Sequence, residues 1–399
     1  MPRRTKKEAS RAPTRRKALG AIAERFKSFR PAREALKVVR AVPTCFVQLD
    51  HATRVGGFPI ERVTVIHGPS NQGKSVCALG LMKSFLRAGH FALFVDAERT
   101  SPITWAREVM GVEADSDRFF AERPATYERT VDRVREFLRG VHDLRAEKVV
   151  APDATAIVVV DSVRKLVPED ILKKIAKSGA SGDKGSVDGM GGRAAQIRAA
   201  MNAAWMDELV PLLDETGTAI VLIARETEDP DADVWQKKFG NAYKVGGGRA
   251  LIYDASLVLR VDRESWVYDK RGDDRKVLGE RHRVSVRKTK IGGREDRATL
   301  GYFHSANGVG LEDTSPGWRL DWARDLLDAA VALGVVGVDA RGRHAWMGAG
   351  GWTLEASSLL PALAALRRDE GVATALEAAV RERSAVVDPT SHDEDGVVE

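Results

Sequence analysis

Short apolar runs alternate with longer amphipathic stretches along most of the chain. Four six-residue runs rich in Val, Ile, Leu and Phe are predicted strands, at 62–67, 91–96, 156–161 and 219–224. Helices are predicted at 74–88, at 125–147, and from the end of a Gly/Ser/Lys-rich stretch at 173–192 to about Thr216. Strands that are apolar on both faces have to be covered by helices on both faces. The alternation therefore predicts an α/β fold with a mainly parallel, twisted sheet.

The pattern changes towards both ends of the chain. An N-terminal amphipathic helix is predicted between residues 16 and 40, where apolar residues recur at three- and four-residue spacing: Leu19, Ile22, Ala23, Phe26 and Phe29. This helix could pack on a neighbouring subunit or on its own core. Further strands are predicted at 255–262 and 282–289, then a helix at 320–333, a hairpin at 338–346 and an Ala/Leu-rich helical segment at 354–383. We divide the chain into a basic arm with its helix (1–40), a core (41–310), a small C-terminal α+β domain (311–385) and an acidic tail (386–399).

The net charge of +6 is distributed unevenly. Residues 1–40 contain 14 Lys or Arg and three Glu, a net charge of +11, so the rest of the chain has a net charge of −5. Residues 387–399 contain five carboxylate side chains and no Lys or Arg. A basic arm and an acidic tail are typical of a protein that handles nucleic acid, although a merely solvated arm and tail have the same composition.

The composition excludes some classes of protein. Hydrophobic residues make up 43% and charged residues 30% of the chain, which are ordinary values for a globular protein. No apolar run approaches the ~18 residues needed to cross a bilayer, and the N-terminus lacks the apolar segment of a secretory signal. We therefore predict a cytoplasmic protein with no membrane partner. Cys45 and Cys77 lack metal-ligand spacing and are predicted to be buried, reduced thiols.

A phosphate-binding motif follows the first of the four apolar runs. Residues 68–75 match the pattern GxxxxGK[S/T] between a predicted strand and a predicted helix, which is the context of a P-loop. Glycines let backbone N–H groups close around phosphate oxygens, and the helix N-terminus adds its dipole. Lys74 is predicted to reach the β- and γ-phosphates, and the Ser75 hydroxyl to ligate Mg²⁺. The predicted nucleotide-binding residues are Gly68, Pro69, Ser70, Asn71, Gln72, Gly73, Lys74, Ser75 and Val76.

Two acidic residues at predicted strand ends complete a candidate site for ATP hydrolysis. Asp161 ends an apolar run, where a carboxylate of a P-loop protein holds Mg²⁺. Glu98 lies 24 residues after Lys74, and a carboxylate there can polarise the water that attacks the γ-phosphate. Asp96 is a weaker candidate for this role. ATP and Mg²⁺ are the predicted ligands, with Ser75 and Asp161 at the metal and with Lys74 and Glu98 as catalytic residues.

Taken in order, these motifs resemble the bacterial RecA-type recombinases over about residues 18–380. The segment 42–69 is similar to the family's approach to its P-loop, FVDAER at 94–99 to its DAE motif, and VVVDS at 158–162 to its magnesium-binding strand. Gly246-Gly247-Gly248 with the strand that follows is similar to the segment that closes the second DNA loop. The resemblance implies a RecA-type P-loop ATPase core with an N-terminal helix and a small C-terminal α+β domain.

The resemblance also implies roles for individual residues. Trp105 falls where the family stacks a Tyr on adenine, and RVSVRKTKI at 283–291 places Lys288 and Lys290 where the family's lysines reach the ATP of the neighbouring subunit. Two DNA-binding loops are implied, at about 168–193 and 226–245. The candidate DNA-binding residues are Lys173, Lys174, Lys177, Lys184 and Arg193 in the first loop and Lys237, Lys238, Phe239, Tyr243 and Lys244 in the second, with Arg225, Gly246, Gly247 and Arg249 beside it. Cations suit phosphates and aromatic rings suit bases, and ordinary surface loops are the alternative.

The implied function is that of an ATP-dependent recombinase in DNA recombination and repair. Such a protein forms helical filaments on single-stranded DNA and promotes pairing and strand exchange with homologous duplex DNA. Two features depart from the family: Arg225 replaces a Gln that senses the γ-phosphate, and the second loop carries the acidic residues Glu226, Glu228, Asp229, Asp231 and Asp233. These departures keep open a catalytically weak, RecA-like mediator. A ring-forming RecA-fold motor is the second alternative, against which the N-terminal helix, the Lys-x-Lys strand and the C-terminal domain argue.

Overall fold

The computed structural model describes residue 25 and residues 39–181, 190–229, 232–235, 243–268, 277–292, 296–304 and 319–386. The chain divides into two compact units, Met1–Val39 and Arg40–Glu399. Between residues 16 and 38 only Arg25 is described, and it is helical. The rest of the predicted N-terminal helix and the predicted acidic tail lie outside the described residues.

Strands and helices alternate through the second unit. The strands are β1 (Ala41–Val42), β2 (Phe58–Pro59), β3 (Val63–His67), β4 (Phe91–Asp96), β5 (Phe119–Glu122), β6 (Ala156–Asp161), β7 (Ala219–Ile223), β8 (Glu226–Glu228), β9 (Tyr243–Val245), β10 (Leu257–Tyr268), β11 (Val277–Thr289), β12 (Arg297–Phe303), β13 (Gly337–Val338), β14 (His344–Met347) and β15 (Thr353–Ala356). The α-helices are α1 (Val47–Thr53), α2 (Lys74–Arg87), α3 (Ile103–Met110), α4 (Tyr127–Ala146), α5 (Glu169–Ser181), α6 (Met190–Thr216), α7 (Arg249–Asp254), α8 (Trp322–Ala332), α9 (Leu359–Arg368) and α10 (Glu370–Val386). Within the described residues, no helix is both long and apolar enough to cross a membrane.

Eight strands form one sheet in the order β12-β11-β10-β3-β7-β6-β4-β5. The six strands from β10 to β5 are paired in parallel. At the other edge, β11 pairs antiparallel with β10 and β12 pairs antiparallel with β11. The predicted α/β fold with a mainly parallel sheet is confirmed. All four apolar runs became neighbouring strands at its centre.

The central strands bury side chains on both faces because successive residues of a strand point to opposite sides. In β6, Ile157 and Val159 pack into a core with residues of α1, α2 and α3. Val158 and Val160 pack on the other face with residues of α4 and α6. This two-sided burial is what the uninterrupted apolar runs predicted.

A third core joins the C-terminal part of the chain to α1. Residues of α8, α9, α10 and the β13-β14-β15 sheet pack together with Val47 of α1. The Oδ2 atom of Asp325 accepts a hydrogen bond from the Val47 amide at 2.5 Å, at the amino end of α1. Arg381 donates to the Asp50 carboxylate at 2.7 Å and to the Thr44 carbonyl oxygen at 2.8 Å. Buried polar contacts thus fix α1 to α8 and α10.

Several boundaries differ from the sequence predictions. The strands predicted at 255–262 and 282–289 are longer, and β12 was not predicted, because the outer parts of these strands alternate charged and apolar residues. The prediction of one helical segment at 354–383 is wrong at its start, since β15 pairs with β14 there. Two helices follow it, separated at Asp369, whose backbone is extended.

The stretch predicted to form the first DNA loop begins with a helix instead. Glu169 and Asp170 lie in the first turn of α5, where acidic residues favour a helix N-terminus. Lys173 pairs with Glu169 at 2.8 Å in an i,i+4 arrangement. The prediction of a loop followed from the Gly/Ser/Lys-rich composition of the whole stretch, which does not indicate the helix at its start. Part of the second loop is also regular, because β8 and β9 form an antiparallel pair.

Candidate nucleotide site

The P-loop connects the carboxyl end of β3 to the amino end of α2. Gly68 has a φ of +151° and Gly73 a φ of +83°, and a side chain at either position would collide with a neighbour. At Gly68 the neighbour is the backbone carbonyl oxygen of Val261. At Gly73 it is the imidazole ring of His282, 2.7 Å from the position of a Cβ atom. The loop therefore leaves its backbone bare at the amino end of α2, as phosphate binding by N–H groups requires.

The P-loop forms one wall of a cavity of about 630 Å³. Lys74 lies in this wall and is buried, and its ammonium group donates a hydrogen bond to the Pro69 carbonyl oxygen. Burial lowers the pKa of Lys74, and the nearby Asp161 carboxylate opposes that shift. A phosphate bound in the cavity would place negative charge beside this buried ammonium group and favour its charged form. Lys74 is therefore suited to contact a phosphate.

Ser75 and Asp161 meet in the same cavity. Ser75 begins α2 beside Lys74 and Asp161 ends β6, and the Ser75 hydroxyl donates to the Asp161 carboxylate at 2.5 Å. Burial raises the pKa of Asp161, while the Ser75 hydrogen bond lowers it. A hydroxyl and a carboxylate are the hard oxygen ligands that Mg²⁺ takes together with water and substrate phosphates. The pair therefore fits Mg²⁺. No group of three His, Cys, Asp or Glu that could hold a metal occurs in the described part of the chain.

Glu98 lies in the cavity and is held by two donors. Arg225, which follows β7, donates from Nη2 to both carboxylate oxygens of Glu98, at 2.7 and 2.6 Å. The Ser162 hydroxyl donates to Glu98 Oε1 at 2.9 Å. Asp96 has a different environment: it is buried, pairs with Arg123 at 3.0 Å and accepts from the Ser101 amide at 3.2 Å. Of these two carboxylates, Glu98 faces the cavity, whereas Asp96 supports the turn after β4.

Two aromatic residues, Trp105 and Tyr302, also line the cavity. Trp105 of α3 donates from its indole nitrogen to the Tyr302 hydroxyl at 3.2 Å. Arg319 donates to the same hydroxyl at 2.9 Å. Both aromatic side chains line the cavity, so a flat base could lie against them.

Comparison of the amino-acid sequence with known proteins gives a family that is consistent with the parallel sheet and the P-loop. Residues 27–306 match the sequence profile of the RecA N-terminal domain. The chain belongs to the RecA family. Protein RecA of Geobacter sulfurreducens is 29% identical over 319 residues, which are 80% of this chain and 78% of that protein. Protein RecA of Mycolicibacterium smegmatis is 30% identical over 291 residues, 71% of this chain and 72% of that protein. For Protein RecA of Salinispora arenicola the figures are 32% over 251 residues, 63% of this chain and 61% of that protein.

The residues that line this cavity without having been predicted include Arg263, Glu280, His282 and Tyr302. The Arg263 amide donates to the Gln72 side-chain oxygen at 2.5 Å, and its guanidinium donates to the Asn71 carbonyl oxygen at 2.7 Å. Burial lowers the pKa of His282, whose ring lies behind Gly73, and the nearby Glu280 carboxylate opposes that shift. These residues lie on β10, β11 and β12, which brace the P-loop from the antiparallel edge of the sheet.

Lys288 and Lys290, the predicted contacts to a neighbour's ATP, lie at the end of β11 and are engaged within the chain. Lys288 Nζ donates to the carbonyl oxygens of Ile252 at 2.6 Å and Tyr253 at 2.5 Å. Lys290 Nζ donates to the Tyr253 carbonyl oxygen at 2.8 Å. Both lysines thus satisfy carbonyl groups at the C-terminus of α7, and neither lines the cavity of its own chain.

The predicted DNA-binding residues fall in three groups. Lys173 and Lys174 are exposed on α5, while Tyr243 and Lys244 lie on β9, next to Gly246 and Gly247, and Arg249 begins α7. Arg225 is in the nucleotide cavity. Lys184, Lys237, Lys238 and Phe239 lie outside the described residues, as do the side chains of Lys177 and Arg193.

Gly246 and Gly247 line a second cavity, of about 270 Å³, together with Val163 and two arginines that were not predicted. Arg198 comes from α6 and Arg164 from the turn after β6. Burial and the charge of Arg164 lower the pKa of Arg198. Because none of the described residues that line this cavity is acidic, it is suited to an anion.

Two of the acidic residues of the second loop, Glu226 and Asp229, are paired with basic side chains. Glu226 is buried between His67, at 2.8 Å, and Arg260, at 2.7 Å. Burial alone would raise the pKa of Glu226, but the hydrogen bonds from His67 and Arg260 lower it overall. Asp229 pairs with Lys244 at 2.7 Å. At these two positions the negative charge is balanced inside the protein, so it does not oppose a DNA phosphate as the sequence suggested.

Proposed function

We propose that this RecA-family chain hydrolyses ATP and, with ATP bound, forms helical filaments on single-stranded DNA in which homologous duplex DNA is paired and exchanged. The observation that carries the proposal is the convergence of Lys74, Ser75, Asp161 and Glu98 on one cavity beside a P-loop. A binding protein without turnover would need the phosphate cradle but would not need a carboxylate such as Glu98 beside it.

The residues of the cavity suit a direct displacement at phosphorus. The P-loop amides and Lys74 would hold the β- and γ-phosphates, and Trp105 and Tyr302 would lie against the base. Mg²⁺, held by Ser75 and Asp161, would neutralise charge on the phosphate oxygens. Glu98 would accept a hydrogen bond from the attacking water and orient it. The new bond forms between the water oxygen and the γ-phosphorus, the bond to the bridging oxygen breaks, and the products are ADP and inorganic phosphate.

The second cavity supports a DNA-binding role. Arg164, Arg198 and the glycine turn at Gly246 and Gly247 could hold a backbone phosphate of single-stranded DNA, and the predicted lysines on α5 would add to the attraction. We also propose that Lys288 and Lys290 reach the ATP of the next subunit in a filament, which requires them to leave the carbonyl groups of α7.

The test is ATP hydrolysis with and without single-stranded DNA, in the native chain and in Glu98→Ala. We expect DNA to stimulate hydrolysis and Glu98→Ala to abolish it. Glu122→Ala is the matched control, because Glu122 pairs with an arginine, Arg133, as Glu98 does with Arg225, but lies at the end of β5 outside the cavity. A rate of ATP hydrolysis that does not change when DNA is added, or that is unchanged in Glu98→Ala, would contradict the proposal.

A second candidate function is a mediator that binds ATP and DNA but turns over slowly. The observation that favours it is the Arg225–Glu98 contact, which engages the proposed catalytic carboxylate. Electron microscopy and a strand-exchange assay separate the candidates: the recombinase should form open filaments and exchange strands, whereas the mediator should bind DNA without exchange. Closed rings would instead indicate a RecA-fold motor.

A further inference from the structure

The side chain of Glu98 is more fully engaged than a water-orienting carboxylate should be. A carboxylate has about four lone-pair sites on its two oxygens. On Glu98, Oε1 accepts from both Ser162 and Arg225, and Oε2 accepts from Arg225. One site remains for any other donor, and the bound guanidinium balances the negative charge. In this arrangement Glu98 is poorly placed to orient a water molecule.

Arg225 has a second anion within its reach when a nucleotide binds. Its side chain lines the same cavity as Lys74 and Ser75, which the proposed function assigns to the phosphates. The side chain is about one-third exposed, so it can move without opening a core. A terminal phosphate offers a guanidinium the same two-oxygen partner that Glu98 offers, with more negative charge. A nucleoside diphosphate has no such group at that place.

The peptide group between Arg225 and Glu226 is hydrogen-bonded both to the P-loop and to the glycine turn. Its carbonyl oxygen accepts from the Gly246 amide at 2.8 Å. The next amide, that of Glu226, donates to the Gly68 carbonyl oxygen at 3.2 Å, and the buried Glu226 side chain is fixed by His67 and Arg260. A change in the position of Arg225 would therefore act directly on the turn that lines the second cavity.

We propose that Arg225 is a positioning residue with two partners: it holds Glu98 when the site lacks a triphosphate, and it transfers to the terminal phosphate when ATP binds, which frees Glu98 to orient water. This inference rests on the proposed ATP-binding function. Arg225 thereby restrains hydrolysis and distinguishes ATP from ADP in one movement. The partner it recognises is the terminal phosphate of a nucleoside triphosphate.

The test compares the dissociation constants of a non-hydrolysable β,γ-imido ATP analogue and of ADP, both with Mg²⁺, in three proteins. Glu98→Gln removes the charge that binds Arg225, so the analogue should bind more tightly than to the native chain. Adding Arg225→Gln to Glu98→Gln should weaken analogue binding by about ten- to a hundredfold, because a charge-assisted contact to phosphate is lost. ADP binding should change by less than about threefold in each case, since ADP lacks the group that Arg225 recognises.

The double variant is decisive because a static ion pair predicts the opposite result. If Arg225 only shields Glu98, its loss costs nothing once Glu98 is neutral, and the double variant should bind the analogue as tightly as Glu98→Gln alone. That result would overturn the proposal. Arg133→Gln in the Glu98→Gln background is the matched control, because Arg133 pairs with strand-end Glu122 outside the cavity, and it should leave both constants unchanged.

The same measurements separate this inference from the proposed function. Two outcomes would overturn ATP binding in this cavity and, with it, the Arg225 assignment. In the first, the native chain binds neither nucleotide. In the second, Lys74→Ala binds both nucleotides as tightly as the native chain does. Normal binding by the native chain, lost in Lys74→Ala, together with an unchanged double variant, would overturn the Arg225 assignment alone.

Discussion

Replacing Gly73 by Ala tests whether the buried imidazole of His282 shapes the P-loop. A Cβ atom at Gly73 would lie 2.7–2.8 Å from three atoms of the His282 ring, and the residue is only 1% exposed, so the ring has little room to withdraw. The φ of +83° costs a residue with a side chain about 1–2 kcal/mol. Overpacking of a filled site adds about 1–3 kcal/mol. Gly73→Ala should therefore lower the free energy of unfolding by about 2–5 kcal/mol.

The two contributions separate in a double-mutant cycle. His282→Ala removes the ring, so Gly73→Ala in that background should keep only the conformational cost. The coupling between the two positions should then be about 1–3 kcal/mol. The assay is urea unfolding of the native chain, both single variants and the double variant at one pH. Gly140→Ala is the control: Gly140 is exposed within α4 with open space around its Cβ position, so the change should stabilise the chain by about 0.5–1 kcal/mol.

An equal cost of Gly73→Ala with and without the His282 ring would refute this reasoning. The backbone conformation alone would then explain the glycine. Nucleotide affinity measured on the same proteins shows whether the bare backbone at Gly73 also matters for binding. The double variant should bind the nucleotide more weakly than the native chain does, because its P-loop still carries a methyl group at the amino end of α2.

Two further measurements address the C-terminal contact and the second cavity. Burial raises the pKa of Asp325 well above its usual value. Above about pH 4 the folded chain therefore keeps a proton that the unfolded chain loses. As the pH rises, the free energy of unfolding should fall by up to about 1.4 kcal/mol per pH unit. Asp325→Asn should remove this part of the pH dependence of urea unfolding, and an unchanged slope would contradict the assignment. Arg198→Ala should weaken single-stranded DNA binding and reduce the slope of log K against log salt by about 0.7, measured by fluorescence anisotropy. Arg139→Ala, on the exposed face of α4, should change neither quantity.

The parallel part of the fold could be predicted because its signals are local. Each central strand is an uninterrupted apolar run, and the P-loop is eight consecutive residues between a strand and a helix. Asp161 and Glu98 could be singled out because the carboxyl ends of parallel strands meet at one edge of a sheet. The strand order could not be read in this way, since β3 lies between β7 and β10, far from it in sequence.

The remaining walls of the cavity depend on pairing between distant segments. Arg263, Glu280 and His282 lie on strands that alternate polar and apolar residues, a pattern that fits any half-exposed sheet. Only the register of β10 against β11 and β3 brings them to the P-loop. The Arg225–Glu98 contact likewise joins residues 127 positions apart, and an arginine after a strand has no local signal that names its partner. The helix α5 was not predicted for another reason. The Gly/Ser/Lys-rich composition of a long stretch was read as a loop, although its first residues have a helical pattern.

The contacts of α1 with α8 and α10 have a consequence for how the chain is made. Val47 receives its hydrogen-bond partner from Asp325, and Asp50 from Arg381, which are 278 and 331 residues later in the sequence. Synthesis proceeds from the N-terminus, so the parallel sheet can assemble on the ribosome long before these partners exist. During that interval the amino end of α1 lacks its acceptor and the Asp50 carboxylate lacks its cation. The first helix of the core therefore reaches its final stability only after Arg381 has been synthesised.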